Sequence, residues 1–277
     1  MSAHALSPIV FLRRCLGALV TIVWSGFSVL PSPAAETTPT ETSAVPAQQI
    51  TPDLSVREFQ PGLWLHTSWQ TLPKVGRYSA NGLLIREGDH LVLIDTAWGE
   101  ASTQALLDWI DRELRLPVVR AIVTHAHDDR MGGAPVLVRR HIPFIGHPLT
   151  ASLAVAQHWP APEVLPTLAT PGAALTIGSV EIFFPGAGHT RDNLVVWLPQ
   201  HRTLFGGCIV KSAHDRTLGN TADADLREWP ASLRRLQARY RQALLVVPGH
   251  GEPGGLELLR HTLDLCGDAE PQKPINP

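Results

Sequence analysis

At 277 residues, 44% hydrophobic and 17% charged, the chain can bury a sizeable core and is too apolar to be disordered; one large domain fits it better than two. A formal net charge of −2, with neither a basic stripe nor an acidic tail, gives no footprint for nucleic acid or a strongly charged partner. Small, weakly charged molecules remain as ligands.

In chain order, the first feature is an export signal. Arg13 and Arg14 precede the apolar run 15–30, CLGALVTIVWSGFSVL, and Ser32-Pro33-Ala34 supplies the small residues that a signal peptidase reads. The run is short for a bilayer span, which needs about 20 residues. Residues 1–35 are therefore expected to be a cleaved signal peptide delivering the protein to the periplasm, and 36–54, opening with the Thr/Pro-rich stretch ETTPTETSAVPAQQITP (36–52), a flexible lead-in. The domain proper is expected over 55–277.

LWLHTSW (63–69), GLLIRE (82–87) and HLVLIDT (90–96) read as strands, with Gly88-Asp89 turning between the last two. Residues 101–115 carry Leu106, Ile110 and Leu114 at i, i+4, i+8, an amphipathic helix. VVRAIVTH (118–125) reads as a buried strand, APVLVRRH (134–141) as a helix, FIGH (144–147) as a strand and TASLAVAQHW (150–159) as a helix. Strands follow at 173–184, 193–199 and 203–206, then a helix at 226–243, the strand ALLVVPG (243–249) and a helix at 255–265. This alternation predicts two packed sheets with helices outside, an α/β sandwich.

THAHDDRMGG (124–133) follows the strand 118–124 directly. If the chain stays extended, positions two apart share a side, so His125, His127 and Asp129 face one cleft while Asp128 and Arg130 point elsewhere. Alternating imidazole and carboxylate suits zinc, although a lone histidine is more often a core or surface residue. Three more stretches raise the count of donors: PGAGHTRDN (185–193) with His189, LFGGCIVKS (204–212) with Cys208, and VVPGHGEPGG (246–255) with His250. Each donor sits where a strand runs into a glycine-containing loop, which brings them to one edge of the sheets. Four histidines, one aspartate and one cysteine are enough for two zinc ions. After export only Cys208 and Cys266 remain, and an oxidising compartment favours a disulfide between them unless Cys208 is a thiolate ligand. Cys266, in HTLDLCG, reads as a small half-buried hydrophobe, so no disulfide is expected.

HAHDD, GAGHT, GGCIVK and PGHG, in this order and at these spacings, resemble the metallo-β-lactamases, specifically the subclass whose second zinc is held by Asp, Cys and His. The resemblance runs from about residue 55 to the C-terminus, and GHTRDNLVVWLPQHRTLFGGCIVKS (188–212) carries it most specifically. It implies a four-layer αβ/βα sandwich and zinc-dependent hydrolysis of the β-lactam amide of penicillins, cephalosporins and carbapenems. His125, His127 and His189 would hold the first zinc, whose water drops to a pKa of about 7. Asp129, Cys208 and His250 would hold the second, which steadies the departing amide nitrogen, with Asp129 also counted as catalytic. By the same resemblance Lys211 binds the substrate carboxylate, Asn220 in LGN lies beside the lactam carbonyl unless it is only a turn residue, and Asp95 lies beneath the metals. The stretch 69–82 corresponds to a loop flap, whose Trp69, Leu72, Pro73 and Val75 form an apolar lid or pack down. A monomer is expected. Two other readings share parts of the pattern: thioester hydrolases of the glyoxalase type, which resemble THxHxDH where this chain has Arg130 after the aspartate, and an exported zinc-binding protein without activity.

Overall fold

The computed structural model describes residues 46–267. The export signal expected over 1–35 and most of the lead-in lie outside them. Among the described residues thirteen strands form two sheets. The first has eight, in sequence order: β1 (Gln48–Thr51), β2 (Leu54–Gln60), β3 (Leu63–Leu72), β4 (Gly76–Glu87), β5 (His90–Ile94), β6 (Val118–Ile122), β7 (Phe144–Gly146) and β8 (Glu163–Val164). Neighbours are antiparallel from β1 to β5 and parallel from β5 to β8. The second comprises β9 (Ala174–Ile177), β10 (Val180–Phe183), β11 (Val195–Leu198), β12 (Thr203–Gly207) and β13 (Leu245–Pro248), in the order β13-β12-β11-β10-β9.

Strand alternation builds three apolar layers. In β5, Leu91 and Leu93 face a core shared with α1 (Gly99–Trp109), α3 (Ala134–Arg139) and α4 (Pro148–Ala156), while Val92 and Ile94 face the other sheet. In β11, Val196 and Leu198 meet them across the inter-sheet core, and Val195 and Trp197 pack toward α5 (Trp229–Arg239) and α6 (Glu257–Gly267). The result is the expected helix–sheet–sheet–helix sandwich. Among the described residues no helix is long and apolar enough to cross a membrane.

Several elements differ from the sequence reading. The sheet starts at β1, inside the segment taken as lead-in, and β2 was not expected. The helix read over 101–115 is α-helical only to Trp109, continues as a π-helical turn over Ile110–Leu114, and stops at Arg115, whose φ is 54°. The stretch 69–82 is no loop: β3 and β4 pair continuously from Leu63↔Ile85 to Leu72↔Gly76, making a long hairpin with only Pro73–Val75 at its tip. The stretch 173–184 is two strands turning at Gly178.

Candidate metal centre

β6 ends at Ile122, and five residues on the backbone is still extended at His127 (φ −111°, ψ 157°), which caps a four-residue helix, α2 (Asp128–Met131). The extended stretch puts His125 and His127 on one side as expected. Asp129 reaches the same cleft by a different route, from the first turn of that helix. Two carboxylates fix the segment from behind. Asp95 Oδ1 accepts from Thr124 N (2.7 Å) and its Oδ2 from Thr124 Oγ1 (2.8 Å), while Asp192 Oδ2 accepts from Ala126 N (3.0 Å), between the two histidines.

The loop after β10 brings His189 to the same place. His127 Nδ1 lies 3.2 Å from His125 Nε2 and 3.3 Å from His189 Nε2, with the three rings nearly perpendicular to one another. Three nitrogens converging on one point cannot all be satisfied by hydrogen bonds among themselves. Tetrahedral ligands at zinc–nitrogen distances stand about 3.3 Å apart, so the spacing fits a metal. Burial first, then neighbouring cationic groups, drives His125 and His189 far below the usual histidine range, which keeps their lone pairs free. His127 Nε2 pairs with Asp223 Oδ2 at 3.0 Å, a carboxylate the sequence reading missed.

Asp129, Cys208 and His250 meet in a second triad. Cys208 Sγ is 3.2 Å from His250 Nε2 and 3.5 Å from Asp129 Oδ2, and those two are 3.3 Å apart, again ligand spacing. His125, Asp129 and Cys208 also offer donor atoms within 4.8 Å of one another, so the two triads adjoin. Close approach decides the residue before His250: a Cβ on Gly249 would stand 2.5 Å from Cys208 Sγ, so only glycine fits. His250 Nδ1 meets Ser79 O at 2.5 Å, and the Tyr78 ring packs on the imidazole at 4.7 Å. Burial lowers His250 to about 4 and pushes the Cys208 thiol far up, so thiolate at this position requires a cation.

Arg130 corrects the sequence reading most sharply. Instead of pointing away, it is fully buried beneath the second triad. Its Nε donates to Asp129 Oδ2 (2.9 Å) and its Nη2 to Gly249 O (2.6 Å), while Nη1 donates to Asn81 O and pairs with Asp95 Oδ2 at 3.3 Å. Burial alone would raise Asp129, but the guanidinium, helped by His250, holds it far below the carboxylate range. Asp95 goes the other way: burial pushes it up to about 6 against Arg130 and Thr124. It lies under the site and touches Thr124 and Arg130 rather than a histidine. Asn81 completes the base, its Nδ2 donating to Pro248 O (3.1 Å) and Gly251 O (2.7 Å) on either side of His250.

Lys211, three residues after Cys208, is a buried side chain with its Nζ 5.6 Å from the Trp229 ring, and burial lowers its pKa. Asn220 is exposed and its Oδ1 accepts from Ala222 N at 3.1 Å, the geometry of a turn. At the hairpin tip Val75 is 62% exposed, so the apolar lid residue is not packed down. Cys208 is buried in the second triad and Cys266 half-buried on α6, and they are not bonded to each other.

Two adjoining clusters of imidazoles, a fixed carboxylate and a thiol, at the edge of an αβ/βα sandwich, define a metal-binding site. Residues 75–250 match the metallo-beta-lactamase superfamily, and the chain belongs to that family. It is 41% identical over 219 residues to a metallo-beta-lactamase type 2 from Bacillus sp. (strain 170), covering 76% of this chain and 82% of the relative. It is 32% identical to the enzyme of the same name from Bacteroides fragilis, covering 81% and 90%. Among solved structures, a metallo-beta-lactamase from Pontibacter korlensis aligns with a TM-score of 0.73 at 43% identity, covering 78% of this chain and 100% of that one.

Proposed function

We propose that this protein is an exported, zinc-dependent β-lactamase that opens the lactam amide of penicillins, cephalosporins and carbapenems. The observation that carries the reading is the pair of adjoining triads at ligand spacing. His125, His127 and His189 would hold one zinc ion and Asp129, Cys208 and His250 a second. Bound there, zinc supplies Lewis acidity that makes water nucleophilic at neutral pH and positive charge for the departing nitrogen.

The remaining work falls to the chain. Lys211 binds the substrate carboxylate, and its buried setting strengthens that ion pair. Arg130 keeps Asp129 ionised, so Asp129 serves as a fixed anion that orients the attacking water by accepting its hydrogen bond. Asp223 holds the outer nitrogen of His127 and so the tautomer that presents Nδ1 to the centre. Val75 and Leu72 on the hairpin cover the cleft and exclude water once substrate is bound, and Asn220, whose Oδ1 closes a turn, turns its Nδ2 to the lactam carbonyl. The mature chain, freed of residues 1–35, acts as a periplasmic monomer.

A chromogenic cephalosporin and a glutathione thioester separate the readings. Cephalosporin turnover abolished by a chelator and restored by zinc supports the proposal. Thioester turnover without cephalosporin turnover replaces it with the glyoxalase-type reading, and zinc binding without either leaves a non-enzymatic zinc protein.

A further inference from the structure

Lys211 is buried, at 6% exposure, and among the described residues its ammonium has no carboxylate at ion-pair distance. A buried cation without a partner is costly, and a lysine stem is flexible enough to swing toward an acid or water. Here the head group lies in a slot. Its Nζ stands 5.6 Å from the centre of the Trp229 ring, and a Cβ on Gly219 would lie 3.8 Å from it. Asp215, an acid of the same loop, is engaged elsewhere: its Oδ2 accepts from Ser212 N (2.8 Å) and Ser212 Oγ (3.0 Å). The indole that forms one wall of the slot is fixed. Trp229 is fully buried at the start of α5, its Nε1 donates to Ile209 O (2.9 Å) and its backbone N–H to Asp225 O (2.9 Å). Ile209 follows Cys208 directly, and the ring stands 6.0 Å from the His189 imidazole, so the indole is anchored against both triads.

We propose that Trp229 is the positioning residue for Lys211: its π face holds the ammonium in the cleft without neutralising it, so that a substrate carboxylate meets a cation already in place. An aspartate at the same spot would pair with the ammonium and each substrate would have to displace it. An aromatic face attracts the cation through its quadrupole and leaves the whole charge available. Holding a flexible side chain in its binding position also removes the cost of ordering it when the substrate arrives. The inference rests on the β-lactamase reading, in which Lys211 takes the substrate carboxylate.

The test begins on the metal-free protein. The chain has three lysines, Lys74, Lys211 and Lys273, so isotopic labelling of lysine gives a simple spectrum in which Lys211 is assigned by its loss in Lys211→Arg. A methylene held over an indole face resonates upfield. The ε-methylene signal of Lys211 is expected there, with a smaller displacement in Trp229→Phe and none in Trp229→Leu. Kinetics on the zinc-loaded protein then compare a penicillin with its methyl ester, which lacks the carboxylate. Trp229→Leu is expected to raise KM for the acid about tenfold, the worth of a desolvated cation–π contact, and Trp229→Phe to recover part of that loss. KM for the ester stays in place, whereas a merely structural lesion would move both substrates together. An undisplaced Lys211 signal, or a KM change shared by acid and ester, overturns the proposal. If Trp229→Leu does not fold, the other two spectra decide: a displacement that shrinks in Trp229→Phe upholds the proposal, and its absence overturns it. A displaced signal with no hydrolysis of either penicillin would instead overturn the β-lactamase reading and, with it, the role given to the ammonium.

Discussion

Arg130 shows how a single side chain can carry the site without touching substrate. It is fully buried and pairs with Asp129 and Asp95 at once. Arg130→Met removes that cation and leaves two buried carboxylates uncompensated, a change that costs about 3–5 kcal/mol. Urea unfolding of the metal-free variant should show a loss of that order, and an unchanged midpoint would mean the guanidinium does not hold the base together. Cysteine chemistry gives the second residue-scale expectation. Cys208→Ser should stay folded yet lose most of the second metal and most activity, because a neutral hydroxyl replaces the anionic ligand. Cys266→Ser, half-buried on α6, should keep both. Equal metal loss in the two variants, read by elemental analysis, would overturn the ligand assignment. The sequence announced the cysteine but not the arginine: Cys208 sits in a glycine-flanked motif at a strand end, whereas Arg130, besides its neighbour Asp129, finds its partners in Asp95, Asn81 and Gly249, none of them near it in the chain.

The strands that lead into the donor-bearing loops were legible because their apolar periods are regular. What stayed hidden was set by pairing. The hairpin β3–β4 was read as a loop because its outer half, QTLPKVGRYS, is too polar and too rich in Gly and Pro for strand periodicity, and only cross-strand hydrogen bonds make it a ladder. Likewise α2 is a single turn, too short for any periodic signal, and it alone decides that Asp129 arrives by helical rotation rather than by strand alternation. The root of the hairpin offers an element-scale test. A Cβ on Gly82 would stand 2.2 Å from His66 Nε2 and 2.6 Å from Ile94 O, with His66 buried between strands. Gly82→Ala should destabilise by about 3 kcal/mol or more, at or above the upper end of ordinary overpacking, since one of the two obstacles is backbone. A denaturation midpoint equal to wild type would show that the strands have room to part.

At the scale of the whole molecule, the fold holds buried neutral histidines that acid should turn against it. Burial lowers His66 to about 4, opposed only by the carbonyls of Ile94 and Asp95. A histidine with a depressed folded pKa contributes stability that is complete above its unfolded value of 6.5 and is lost as pH falls toward 4, because only the unfolded chain takes up the proton. That single group accounts for about 3 kcal/mol across this window. The metal-free protein should therefore lose stability on acidification, and His66→Gln should flatten that limb; an identical slope in the variant would assign it to other groups. The same burial of neutral imidazoles gives the metal centre its donors, and metal dependence is where the functional account is most exposed. The direct measurement follows hydrolysis of a penicillin, a cephalosporin and a carbapenem while zinc is added back to the metal-free mature protein, with metal content determined at each point. The account predicts no hydrolysis without metal and activity that rises with zinc until the triads are filled; hydrolysis by protein shown to hold no metal would contradict it.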